Sequence, residues 1–143
     1  MYLSSIKIRA TYLGYFGIIP FLGVFLLLTN LSEKLIVSSV QSYAAIILTF
    51  VGAIHWGRAI NSKPDIKNTW LLTISVIPSL LGWVSLLLPP IAGLPLLILS
   101  FLALLVFDYK QYNELIWFQK LRIKLTFIVC SALIFCLLAI TQF

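Results

Sequence analysis

From residue 69 to residue 107 the chain carries no charged side chain. One helix over that stretch would be about 58 Å long, far more than the ~30 Å of a bilayer's hydrocarbon core, so the segment must turn back on itself. Pro89 and Pro90, with Gly93 and Pro95 behind them, supply the breakers where a tight helical hairpin needs them. The stretch therefore reads as two antiparallel membrane helices, 69–88 and 91–107.

Three further apolar runs, 10–28, 36–60 and 125–143, flank this pair. Each is close to the ~20 residues a helix needs to cross a membrane, the fourth run being short and the second long enough to tilt. A barrel would need strands of alternating polarity, and the continuous Leu, Ile, Val and Phe runs do not alternate. Composition agrees: 62% of the residues are hydrophobic and 10% charged, where ordinary domains carry about a quarter charged residues. The expectation is an all-α integral membrane protein, residues 1–143 forming one domain of five transmembrane helices. A soluble domain, a disordered chain, a disulfide framework built from two cysteines and a large extramembrane catalytic domain are excluded.

Orientation follows from the basic residues. Lys7, Arg9, Arg58, Lys63, Lys67, Lys110, Lys120, Arg122 and Lys124 fall on one side of this threading, and only Lys34 falls on the other. Lys and Arg in short loops stay on the cytoplasmic side, which puts the amino terminus inside and the carboxyl terminus outside. Tyr12, Trp56, Trp70, Tyr109, Tyr112 and Trp117 form an inner aromatic belt, and Tyr43 and Trp83 lie toward the outer boundary. The net charge of +6 is read as a basic face on anionic lipid, not as a nucleic-acid groove. Lys7 and Arg9 before a long apolar run read as a retained signal anchor. The expected location is a bacterial inner membrane, or the mitochondrial inner membrane if the chain is eukaryotic.

The second span holds the most informative pattern. Gln41, Ala45, Leu48, Gly52 and His55 lie within about 40° of one line on a helix, a stripe of small and polar residues expected to face protein. His55 is the single histidine, about one turn inside the boundary, where an ionisable group needs a partner or a watery cavity. Arg58 follows one turn later, and Asp108 closes the fourth span at a similar depth. A His55, Arg58 and Asp108 cluster has two readings. It is an inert, self-neutralised ion pair and interface anchor, or it binds an anionic headgroup, gates protons or orients a quinone carbonyl.

Gly14, Gly17 and Pro20 in the first span, and Gly52 and Pro78 in the second and third, are the candidate packing and kink positions. Both prolines should bend their helices. Similar surroundings, IIPFLG and VIPSLLG, raise a repeated hairpin, set against the frequency of proline in membrane helices. Cys130 and Cys136 have neither the spacing nor the neighbours of a metal site and read as core residues. Signatures of c-type haem attachment, metalloproteases, serine hydrolases and P-loops do not occur. The stretch 108–124 reads as a short amphipathic segment lying in the interface.

The run from Tyr43 to Gly57, YAAIILTFVGAIHWG, resembles the signature of the family called domain of unknown function 3429 (DUF3429). Gly14 to Phe21, Pro78-Ser79 with Trp83, and Asp108 resemble further family positions, so nearly the whole chain is covered. Ala53 stands where a second glycine is expected and should make the helix less tightly packable there. The resemblance implies a small polytopic protein of bacterial and mitochondrial inner membranes, with no established activity and no mapped catalytic residues. From the sequence, the expected role is a non-enzymatic accessory, assembly or lipid-binding component. Its partners would be the bilayer and a larger membrane complex or a second copy, with no nucleic acid. A small proton-linked transporter and a quinone- or haem-handling component are the rival classes, and the cofactor is left unknown.

Overall fold

The computed structural model describes residues 2–27, 32–61, 66–111 and 115–141. Every element in them is helical: α1 (Tyr2–Phe16), α2 (Ile19–Leu27), α3 (Glu33–Ile60), α4 (Ile66–Leu87), α5 (Pro90–Gln111) and α6 (Ile116–Thr141). Lys63, Tyr112 and the last two residues of the fifth expected span lie outside the described residues. Among those described, α3, α4, α5 and α6 contain segments long and apolar enough to cross a membrane.

The first expected span is not one helix. Pro20 has no N–H to return to the carbonyl of Phe16, and the chain breaks there instead of bending: α1 stops at Phe16 and α2 begins at Ile19, with Pro20 in its first turn. Proline is well placed in a first turn, where its missing N–H has no helical partner to lose. The break leaves the Gly17 carbonyl outside the helical ladder, because the Phe21 N–H bonds to Ile18 instead. Tyr43 of α3 donates its hydroxyl to that carbonyl at 2.9 Å, and the Tyr43 and Phe21 rings meet edge to face. Pro78 behaves differently: α4 runs through it as a single helix. The two proline segments thus differ in structure, and a repeated hairpin does not describe them.

α3 is the axis of the bundle, packing against α2, α4, α5 and α6. Its small-and-polar stripe is buried from end to end: Gln41, Ala45, Leu48, Gly52 and His55 are each no more than 4% exposed or classed as buried. Close approach to α4 depends on glycine. A Cβ on Gly52 would lie 2.8 Å from the Pro78 ring, and one on Gly82 would lie 3.1 Å from the Ala45 carbonyl. At the far end Gln41 Nε2 donates at 2.5 Å to the Ser85 carbonyl in the last turn of α4, an oxygen that the Leu88 N–H also reaches at 3.3 Å. Gly93 of α5 is pressed against Gln41 and the Ser85 carbonyl, so α3, α4 and α5 meet there. Ala53 points out of the bundle and is exposed. The alanine therefore does not loosen the packing, correcting the expectation drawn from it.

The hairpin between α4 and α5 turns through Leu88 and Pro89, with the Pro89 carbonyl accepting from the N–H groups of Ala92 and Gly93, both at 2.9 Å. α6 differs most from the sequence reading. It starts at Ile116, so residues expected in a surface segment, Arg122 among them, belong to a buried helix face.

Gly52→Val should separate α3 from α4 and lower stability by about 1–3 kcal/mol, the usual cost of overpacking a tight contact. Gly57→Ala, where a Cβ meets nothing within 4 Å, should be neutral or slightly stabilising. Thermal unfolding of both variants in one detergent measures the contrast.

Candidate functional site

Two ionisable side chains from different helices converge on Asp108. His55 Nε2 of α3 lies 2.7 Å from Asp108 Oδ1, and Arg122 of α6 donates through Nε to Oδ2 at 2.6 Å. The three residues are 0%, 4% and 5% exposed in the order His55, Asp108, Arg122. An ionised carboxylate only accepts, so in that state the imidazole Nε2–H is the donor. With a neutral imidazole, the guanidinium and the carboxylate cancel. The His55 ring is also held by Phe107, edge to face at 4.9 Å.

Helix register explains the meeting. His55 sits on the same stripe of α3 as Leu48 and Gln41, and Asp108 continues the buried face of α5 formed by Leu97, Phe101 and Leu104. Both helices therefore turn a polar group inward at the same level. Arg58, one turn beyond His55, donates to the carbonyl of Gln111 at 2.6 Å, one turn beyond Asp108. The paired steps, 55 with 108 and 58 with 111, mean that α3 and α5 run in the same direction, with α4 as the return between them.

The expected cluster of His55, Arg58 and Asp108 is thus corrected in one member. His55 and Asp108 are together, but Arg58 is exposed and holds the C-terminal turn of α5, where a cation complements the helix dipole. Arg122 takes its place on the carboxylate. The spacing that would have exposed Arg122 was available: Arg122, Thr126, Val129, Leu133 and Cys136 recur every three or four residues, and all are buried. Counted as charges, Lys120, Arg122 and Lys124 look like one cationic loop, which masks that spacing.

Among the other sequence candidates, Gly52 and Pro78 touch each other, and Gly14 faces α6, where a Cβ would come within 2.9 Å of Leu125. Gly17 contributes its carbonyl to Tyr43, and Pro20 opens α2. Cys130 and Cys136 are free, buried thiols within the apolar core. Among the described residues, no three of His, Cys, Asp and Glu come close enough to form a metal-ligand set.

Two cavities reach the Arg122 side chain. A crevice of about 100 Å³ lies between α1, α3 and α6 and is lined by Arg122 and Thr126 with otherwise apolar walls. A second space of about 10 Å³, between α5 and α6, is lined by Asp108, Arg122, Tyr109 and Phe118, enough for about one water molecule.

A protein-family model described as "Protein of unknown function (DUF3429)" matches residues 6–138. Transmembrane protein 69 of Xenopus tropicalis is 34% identical over 137 residues, covering 87% of this chain and 52% of the relative. The chain thus spans about half the length of the curated relative it matches. No solved structure matches significantly.

Breaking the Asp108 pair from one side should be costly and removing Arg58 should not. Arg122→Ala leaves a buried carboxylate without its cation and should lower unfolding stability by roughly 3–5 kcal/mol, whereas Arg58→Ala loses an exposed hydrogen bond worth about 1 kcal/mol. Equal losses in detergent unfolding assays would show that the guanidinium on Asp108 is not the structural brace.

Proposed function

The chain belongs to the DUF3429 family, and on that premise we propose that it is a non-enzymatic accessory component of an inner membrane. It works by binding neighbouring proteins and lipids. The observation that carries this reading is the Asp108 brace. Both carboxylate oxygens are engaged, one by His55 and one by Arg122, and the carboxylate ties α3, α5 and α6 together. A charged group so held favours a fixed framework over a gate that must exchange partners.

The lateral surface supports the same reading. Gly52, Gly82 and Gly93 are used up in packing the bundle on itself, which leaves outward faces of large apolar side chains such as Phe50, Trp83, Leu99 and Phe127. These suit acyl chains and the helices of other membrane proteins. The proposal includes an amino terminus on the inner side and a carboxyl terminus outside, so reporter fusions to the two ends should report opposite compartments. The same compartment for both would refute that threading.

A second reading, a small proton-linked transporter, draws on one observation. The His55 imidazole and the Asp108 carboxylate meet at 2.7 Å, beside a water-sized space that Asp108 helps to line. One comparison separates the two. As an accessory component, the chain solubilised in mild detergent should travel with a larger assembly, and proteoliposomes of the purified chain should show no pH-dependent flux. A solitary monomer, together with a proton flux that His55→Asn abolishes, would replace the accessory reading with the transporter.

A further inference from the structure

Thr126 breaks a pattern that the other buried hydroxyls of the described residues keep. Ser75, Ser85 and Ser100 each donate to a carbonyl of their own helix, at 2.7, 2.6 and 2.7 Å, the usual way for a hydroxyl to be satisfied in an apolar interior. Thr126 is 2% exposed, and its Oγ1 has no hydrogen-bond partner among the described residues. One turn earlier on the same face, Arg122 spends Nε on Asp108, yet its Nη2 is also buried without a partner. A buried unsatisfied polar group costs roughly 1–3 kcal/mol; two on one helix face, on side chains that line one cavity, call for a common explanation.

That cavity is the crevice between α1, α3 and α6. Its deep wall includes Phe101, 1% exposed, and Val51, 7% exposed; at its mouth are Leu13 and Phe50, 70% and 69% exposed. It therefore opens sideways, onto the exposed apolar surface of the bundle. Gly14 of α1 and Gly17 just beyond it line one side of the crevice. The volume of about 100 Å³ is several times the ~10–15 Å³ that one water requires. It admits the head of an amphiphile and not its whole length.

We propose that this crevice is a binding site for a neutral lipid-like amphiphile, which places a carbonyl oxygen against Arg122 Nη2 and Thr126 Oγ1 and leaves its hydrocarbon tail along Leu13 and Phe50. A guanidinium N–H and a hydroxyl are both donors, and a carbonyl oxygen has two lone pairs to meet them. Neutrality follows from Asp108, which already balances the charge of Arg122. A second anion in so apolar a place would have to be desolvated without a free counter-charge. A prenylated quinone and an acyl ester present the same chemistry. The proposal deepens the lipid-binding side of the reading above and rests on it.

The test uses the purified full chain, stripped of lipid by detergent exchange, with native mass spectrometry and thermal shift as readouts. The probes are a short-chain prenylated benzoquinone, dioleoylglycerol, oleate, and a hydrocarbon of similar length. The quinone or the diacylglycerol should bind one per chain, and whichever binds identifies the source. Thr126→Val, nearly the same shape without the hydroxyl, should weaken that binding about fivefold, the loss of one hydrogen bond, without lowering the melting temperature of the stripped protein. Thr126→Ser should retain the affinity. Tighter binding of oleate than of the neutral probes, binding of the hydrocarbon as strong as that of the carbonyl compounds, or unchanged affinity in Thr126→Val would each overturn the site. A chain that travels with a protein assembly yet binds no probe would sink this inference and leave the accessory reading standing; the reverse result would do the opposite.

Discussion

A carboxylate at 4% exposure in a lipid-embedded bundle is tolerated only if its charge is met on the spot, and that requirement organises this protein. Removing a carboxylate from water costs several kcal/mol even after relaxation, so Asp108 must find both a counter-charge and enough donors. Arg122 supplies the charge and His55 a second donor. The two partners sit on different helices from Asp108 and from each other, so satisfying this one group fixes the mutual position of α3, α5 and α6. Arg58 on the Gln111 carbonyl repeats the α3–α5 link one turn further on.

The opposite end of the bundle is held by neutral hydrogen bonds. Gln41 closes the last turn of α4, and Tyr43 accounts for the carbonyl left by the break before Pro20. Between these ends α3 and α4 pack closely, because Gly52 receives the Pro78 ring and Gly82 lies against the Ala45 backbone. Without a hydrophobic force between helices in lipid, close packing and a few well-made polar contacts are what remain to hold such a bundle. Here both are concentrated on α3. The HWG sequence thus divides its roles along the axis: His55 faces in, while Trp56 and Gly57 face out.

The brace also shapes its surroundings. Arg122, bonded to Asp108 through Nε, also lines the crevice beside Thr126, while Asp108 is among the residues around the small space between α5 and α6. The same ion pair that closes the bundle therefore lies beside both cavities. A charge-balanced pair presents donors without a net field, which favours polar neutral groups over ions in the adjoining spaces.

How much of this was legible beforehand can be followed residue by residue. Uncharged length from 69 to 107, with Pro89 and Pro90 inside it, was enough to require two helices and a turn, since neither a bilayer nor a helix can be stretched. The stripe of Gln41, Leu48, Gly52 and His55 named the buried face of α3 because rotation per residue is a local property of a helix. Two local signals misled. Pro20 is expected to bend a span that in fact divides at Gly17 and Ile18, where the Tyr43 hydroxyl of α3 donates to the freed Gly17 carbonyl. Arg122 was counted with Lys120 and Lys124 as surface charge, although its spacing with Thr126 and Val129 matches a buried face. Sequence alone determined that the chain is helical and belongs in a membrane, and which side of α3 turns inward, because those depend on hydropathy and periodicity within one segment. Only the tertiary structure decided that Arg122, not Arg58, reaches Asp108 and that Thr126 lines a crevice. Such choices depend on the rotation and offset of one helix against another, which no spacing within a single segment records.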